Sequence, residues 1–213
     1  MTDIFQEVEE DLRRDQFAKL WRRYGTYVLV AAAAIVIATA GFVAWKQHRL
    51  NQRLAEGNQF AVAVQLANDG KMREASEAFA AMAERSADGY AMLARLREAA
   101  LLARQGDLAA AVRAYDALAK DASDPAVRDL ATLQSAALSL DSADAGELKA
   151  KIDPLTVPGN AWRYSALELS ALLAQRTGDR TRAHEILAQI KEDAGAPSGI
   201  RTRAAELLDA LGK

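Results

Sequence analysis

From Gly25 to Trp45 the chain runs 21 residues without a charge: GTYVLVAAAAIVIATAGFVAW. As a helix rising about 1.5 Å per residue, this stretch covers roughly 31 Å, the hydrocarbon thickness of a bilayer. Val28, Leu29, Val30, Ile35, Val36, Ile37, Phe42 and Val43 are its strong apolar residues. Together they favour insertion by roughly 2.4 to 4.8 kcal/mol. Trp21, Tyr24, Tyr27 and Trp45 stand near the two ends, where amphipathic rings prefer the membrane interface. The pattern predicts a transmembrane helix over 25–45. Ala38-Thr39-Ala40 has the small-x-small form of a signal-peptide cleavage site, but the apolar run continues through Phe42, Val43 and Ala44, which favours an uncleaved anchor. Residues 1–24 predict a cytoplasmic amphipathic helix. Ile4, Phe5, Val8 and Leu12 share one stripe, Phe17, Leu20, Trp21 and Tyr24 form another run, and Asp3 with Gln6 is placed to cap. Such a helix either lies on the inner leaflet or docks on a partner.

Beyond the apolar run the pattern repeats. GKMREASEAF, GDLAAAVRAY and GDRTRAHEIL each set a glycine, a small residue five positions on, and a bulky one four further. The positions are Gly70, Ala75 and Phe79; Gly106, Ala111 and Tyr115; Gly178, Ala183 and Leu187. Gly106 lies 36 residues after Gly70, and Gly178 lies 72 after Gly106, so the phase survives a skipped unit. A period near 34 marks helix–turn–helix arrays. The glycine ends one helix in a left-handed conformation. The alanine allows paired helices to approach closely, and the bulky residue one turn later fills the space between repeats.

The expected helices are about 46–68, either separate from the transmembrane helix or continuous with it, then 71–86, 88–105, 107–121, 125–140, 144–152, 160–176, 179–193 and 200–211. Asp124-Pro125 supplies a cap and a first-turn proline. The pair over 125–152 is degenerate, with Asp141-Ser142-Ala143-Asp144 replacing a glycine turn. Pro154, Pro158 and Gly159 break the chain before one pair, and Pro197, Ser198 and Gly199 break it before the last helix. The fold class is therefore all-α: a transmembrane helix, a tetratricopeptide-like solenoid of helical hairpins over 46–195, and a capping helix over 196–213 with Ala204, Leu207, Leu208 and Leu211 on one face. Its 48 alanines among 213 residues suit closely packed helices.

Charge sets the orientation. Arg13, Arg14, Lys19, Arg22 and Arg23 precede the span, and Lys46, Arg49 and Arg53 follow it. This modest lean places the N-terminus inside and the 168 residues after Trp45 across the membrane. A cytoplasmic array is the rival topology. With 27 basic and 29 acidic residues, no broad nucleic-acid surface is expected.

The residues of an enzyme are hard to find. Without cysteine there is no disulfide, thiolate nucleophile or thiolate zinc site. His48 reads as a solvated interfacial histidine and His184 as an exposed or packing one; more than 130 residues apart, they give no zinc spacing. Asp141, Asp144 and Glu147 lack the alternation and glycine of a calcium loop and read as helix capping. No phosphate cradle or nucleophile elbow is present, so neither metal nor cofactor is expected. Helix arrays instead offer a concave surface. Counted from the glycine turns, Leu93, Leu96, Ala100 and Ala103 face inward on one helix, and Ser165, Glu168, Leu172 and Gln175 on another. Leu93, Leu96, Glu168, Leu172 and Trp162 are the candidate partner-binding residues, in an apolar groove with a polar margin for extended or helical peptide. Core packing is the competing role for the leucines. Trp162, after a Pro-Gly break, either plugs a gap between pairs or anchors a partner.

The order of parts resembles the YfgM-like family of bacterial inner-membrane proteins: a short cytoplasmic helix, one span, divergent tetratricopeptide-like pairs, and Pro158-Gly159-Asn160-Ala161-Trp162 before a final Gly-Asp turn. That resemblance implies a periplasmic solenoid beside the SecYEG translocon, working with a membrane-anchored chaperone such as PpiD on unfolded, newly translocated clients. It implies no catalytic residues. The alternative function is a structural scaffold for another envelope complex, in cell division or outer-membrane assembly.

Overall fold

Glycine turns space the helices as the repeat predicts. The computed structural model describes residues 3–85 and 88–212, with side chains over 21–84 and 89–212. The stripe at Ile4, Phe5, Val8 and Leu12 and the Asp3 cap lie outside the described side chains. Among the described residues every regular element is helical. These are α1 (Asp3–Asn68), α2 (Met72–Arg85), α3 (Asp88–Arg104), α4 (Leu108–Asp121), α5 (Pro125–Leu138), α6 (Ala145–Ile152), α7 (Arg163–Arg176), α8 (Arg180–Glu192) and α9 (Ser198–Leu211), with a 3-10 turn at Asp153–Leu155. The chain divides into two units, Met1–Ala55 and Glu56–Lys213.

The first unit belongs to α1, which continues without a break through Asn68, so no helix end marks the expected boundaries at 24/25 and 45/46. This helix is long and apolar enough to cross a membrane, and none of its most apolar window is buried within the chain. Val28, Leu29, Val30, Ile35, Val36, Ile37, Phe42 and Val43 are all exposed. Thr39, a hydroxyl within the apolar run, donates to the Ile35 carbonyl one turn back at 2.8 Å, so its polar group is satisfied inside the helix.

In the second unit three turns close alike. Gly70, Gly106 and Gly178 have φ of 79°, 87° and 85°. The amide after each glycine donates five residues back: Lys71 to Leu66, Asp107 to Leu102 and Asp179 to Ala174, at 2.9, 3.1 and 2.8 Å. The glycine amides donate to Ala67, Ala103 and Gln175. This is the Schellman arrangement, which satisfies carbonyls that a helix end leaves open. In the two Gly-Asp turns the aspartate also caps the next helix: Asp107 accepts from the Ala110 amide at 2.9 Å and Asp179 from the Arg182 amide at 3.0 Å.

Five positions past each glycine, Ala75, Ala111 and Ala183 are completely buried, and Phe79, Tyr115 and Leu187 are buried one turn later. The cores they form are shared by successive helices. Ala63 and Ala67 at the end of α1 pack with Phe79 and Met82 of α2 and Leu101 of α3. Ala99 of α3, Tyr115 and Leu118 of α4 and Ala131 of α5 form the next core. Leu133 of α5, Leu148 and Ile152 of α6 and Leu169 and Leu173 of α7 form the third. The last joins Ala171 of α7, Ile186, Leu187 and Ile190 of α8 and Ala204 of α9. Each helix pair thus hands an apolar face to the next, as in a stacked array, and α9 covers the final one.

The irregular middle has its own ties. Asp124 caps α5 ahead of Pro125, and Asp144 caps α6, accepting from the Gly146 and Glu147 amides at 2.8 and 3.1 Å. The Arg176 guanidinium of α7 donates to the Leu140 and Ala143 carbonyls, closing the turn that lacks glycine. Ser135, fully buried on α5, donates to Asp116 of α4 at 2.6 Å, and Lys151 of α6 donates to the same carboxylate at 3.0 Å. Helix α7 starts at Arg163, three residues later than expected, because the Asn160 side chain accepts from the Trp162 amide at 2.8 Å and holds 160–162 in a turn.

Candidate protein-binding groove

A cleft of about 250 Å³ opens between α5, α7 and α9. Leu130, Leu133, Gln134 and Ala137 of α5 form one wall, Ser165, Glu168, Leu169 and Leu172 of α7 the other, with Trp162 and Arg203 also lining it. Three candidate residues, Trp162, Glu168 and Leu172, therefore meet in one place, as does the inward-counted Ser165. The spacing of Ser165, Glu168 and Leu172 along α7 explains their share of it: positions three or four apart lie on one helix face.

The polar margin is an ion pair. Arg203 of α9 grips Glu168 with two hydrogen bonds of 2.7 Å. The Glu168 side chain is only 14% exposed, whereas that of Arg203 is 53% exposed. The carboxylate raises the affinity of the Arg203 guanidinium for its proton, mainly through the hydrogen bonds between them. Bidentate geometry makes such a pair directional, so it fixes α9 across α7 and gives the groove a charged rim.

Trp162 sits half-buried against the core of α5, α6 and α7. Its indole nitrogen donates to the Ala126 carbonyl in the first turn of α5 at 2.8 Å. Next to it, Asn160 donates to Asp129 of α5 at 2.7 Å. The Pro-Gly break thus turns the chain so that two side chains tie α5 to the start of α7, and the Trp162 ring both fills that gap and lines the groove.

Leu93 and Leu96 lie apart from this cleft. Leu93 is 43% exposed on α3, and Leu96 packs against the core of Tyr115 and Leu118. Ala100 of α3 lines a smaller cleft of about 80 Å³ with Val64, Arg97 and Arg104. Gln175 is exposed, and Ala103 is half-buried. A further cleft of about 320 Å³ lies among α6, α7 and α8, with Lys149, Asp153, Asp179 and Arg182 among its polar lining. Two of those cations are engaged within their own helices or turns, Lys149 with Asp153 and Arg182 with Glu185.

Counting from the glycine turns missed Gln134 and Ala137 on α5 and Arg203 on α9. The α5 pair has no glycine turn from which to count. Arg203 precedes the buried Ala204, but its partner Glu168 is 35 residues away, and only the packing of α9 on α7 brings the two together. His48 and His184 are exposed. No group of three or more His, Cys, Asp or Glu residues that could hold a metal occurs among the described residues.

The tetratricopeptide repeat-like domain matches residues 18–203. The chain belongs to that family. The match takes in the apolar helix as well as the array, and ends at the arginine that rims the groove. No curated protein and no solved structure matches the chain. A tetratricopeptide repeat-like domain of this kind is a protein-interaction module, and the cleft between α5, α7 and α9 is mostly apolar with a few polar groups.

Proposed function

We propose that this tetratricopeptide repeat-like protein is a membrane-anchored, periplasmic protein-binding module that performs no catalysis. Residues 25–45 are its single transmembrane helix in the bacterial inner membrane, residues 1–24 a cytoplasmic helix, 46–195 the solenoid and 196–213 its cap. The observation that carries this reading is the apolar run itself: a helix long enough to span a bilayer, with no residue of its most apolar window covered by the rest of the chain. An uncovered apolar surface of that length is stable only against lipid or a partner. The flanking charges, five before and three after, favour an N-terminus inside.

The array is an ancillary factor of the SecYEG translocon, acting with a periplasmic chaperone such as PpiD on unfolded envelope proteins as they emerge. The support is the order of parts shared with the YfgM-like family. Its mechanism is proximity, since the anchor confines the module to the membrane plane and raises its effective concentration near the channel exit. Trp162, Glu168 and Leu172 contact clients in the groove, and Leu93 and Leu96 give a second apolar contact on α3.

Crosslinking from the solenoid in its native membrane tests this. Channel subunits and chaperone are the expected neighbours, captured in mild detergent as well. Recovery of cell-division or outer-membrane assembly proteins instead would replace the reading with a scaffold. A reporter after Lys213 active only in the cytoplasm would overturn the topology.

A further inference from the structure

The second flank of the apolar run is more basic than a charge-sorted membrane helix ordinarily keeps there. No Asp or Glu occurs between Gln16 and Ala55, yet Lys46, Arg49 and Arg53 follow Trp45. Cytoplasmic flanks collect Lys and Arg, and opposite flanks are usually poor in them. Three cations on the far side, with Glu56 the one acidic residue within a helical turn of any of them, call for further negative charge from outside the helix.

Their placement says what that source is. Helix α1 is unbroken here, and at about 100° per residue the three cations fall within roughly 60° of one another around the axis. Trp45 borders the stripe on one edge, and Leu50 and Leu54 border it on the other, 48% and 58% exposed. The opposite face holds Gln47, His48, Asn51 and Gln52, and Gln47 donates to Asn51 along it at 3.1 Å. All three cations are exposed, and the ion pairs among the described residues involve none of them. The Arg49 guanidinium lies 4.4 Å from the centroid of the Trp45 ring, drawn back toward the apolar run.

Depth fits as well. Arg49 and Arg53 stand about 6 and 12 Å beyond Trp45 along the axis, and the polar interface on each side is roughly 5 to 8 Å thick. Helical side chains tilt toward the N-terminus, here toward the bilayer, and long cationic side chains reach along apolar surface to the headgroups. A cationic stripe edged on both sides by exposed apolar side chains matches a phospholipid surface.

We propose that Lys46, Arg49 and Arg53 form a binding stripe for the phosphate headgroups of anionic phospholipids, with Trp45 and Leu50 at the glycerol level. The inference rests on the membrane-spanning reading and on its N-terminus-inside orientation. Each cation at an anionic surface strengthens attraction on the order of fivefold, and salt screens it.

The test uses the full chain in phosphatidylcholine vesicles carrying equal fractions of brominated phosphatidylcholine or brominated phosphatidylglycerol. Contact quenching of Trp45 is read in a W21F protein as the difference from W21F/W45F. The brominated anionic lipid is expected to quench several-fold more effectively, with the preference falling to parity in K46Q/R49Q/R53Q and at high salt. Parity in the parent protein, or a preference that survives the triple substitution, overturns the proposal while leaving the span intact. Parity together with a co-isolated protein lost in the triple variant assigns the stripe to a protein partner and also overturns it. Absence of quenching by either lipid means that Trp45 is not in a bilayer, and the membrane-spanning reading fails with it.

Discussion

At Gly57 two small effects oppose each other. A helical glycine is about 1 kcal/mol less favourable than alanine, yet a Cβ there would meet the Tyr90 hydroxyl at 2.9 Å. The Tyr90 ring is held in turn against Phe60, 5.9 Å between centroids. Gly57 is thus a close-approach residue. G57A is expected to be nearly neutral in the parent protein and to stabilise Y90F by about 1 kcal/mol, read as a double-mutant cycle in urea. A gain of that size in both backgrounds would show that Tyr90 yields freely. The sequence does not reveal what Gly57 meets, because the partner lies 33 positions away on another helix.

Asp193 gives a pH signature at the same scale. The Gly195 amide donates to its carboxylate at 2.8 Å and the Tyr164 hydroxyl at 3.0 Å, with Arg163 alongside at 3.5 Å. The Gly195 amide first, then the tyrosine hydroxyl and the arginine, hold the carboxyl below the usual range, while burial and the hydrogen bond to Asp193 push the Tyr164 phenol up. A depressed folded value means stability that is present above the unfolded carboxyl pKa of about 4 and lost as pH falls through the lower folded one. Thermal midpoints followed from about pH 5 down to 2 should therefore drop more steeply in the parent than in D193N. Parallel curves would remove Asp193 from the account of acid stability.

Between elements, the small residue after each glycine turn decides how closely a pair can pack. Ala183 is completely buried on α8, with Ile186, Leu187 and Ile190 packed around the same core. A183L is expected to cost about 1 to 3 kcal/mol by overpacking, measured as a shift in urea midpoint, whereas the exposed neighbour H184L should leave it nearly unchanged. Most helices were legible at this level because each boundary is a local device: a left-handed glycine, a capping aspartate, a first-turn proline. The start of α7 was less so, since Asn160 uses its side chain on the Trp162 amide and its amide nitrogen on Asp129, and the second partner is 31 residues away. The groove was half legible for a similar reason. Helical periodicity puts Glu168 and Leu172 on one face of α7, but the α5 wall and Arg203 come from helix pairing that no single helix encodes.

In the whole molecule the cores form a chain of neighbours, each resting on the next helix and none joining the two ends of the array. Stability in such a body is close to a sum of local pairs and interfaces. The unit from Glu56 onward contains all four of those cores. A fragment beginning there is expected to be soluble, helical and cooperatively folded without detergent, by circular dichroism and thermal melting, while the full chain requires detergent or lipid. A fragment that is molten or aggregates would show that residues before Glu56 belong to the fold as well as to the anchor.

The closing role of α9 bears on how the protein is made. Ile186, Leu187 and Ile190 share their core with Ala171 of α7 as well as Ala204 of α9, so a chain leaving the ribosome has only the α7 part of that cover until its final helix has been synthesised. A message cut short before Ser198 would yield a product that nearly folds yet presents the side left uncovered to quality-control proteases, and its steady-state level, rather than its binding, would be the first thing to fall.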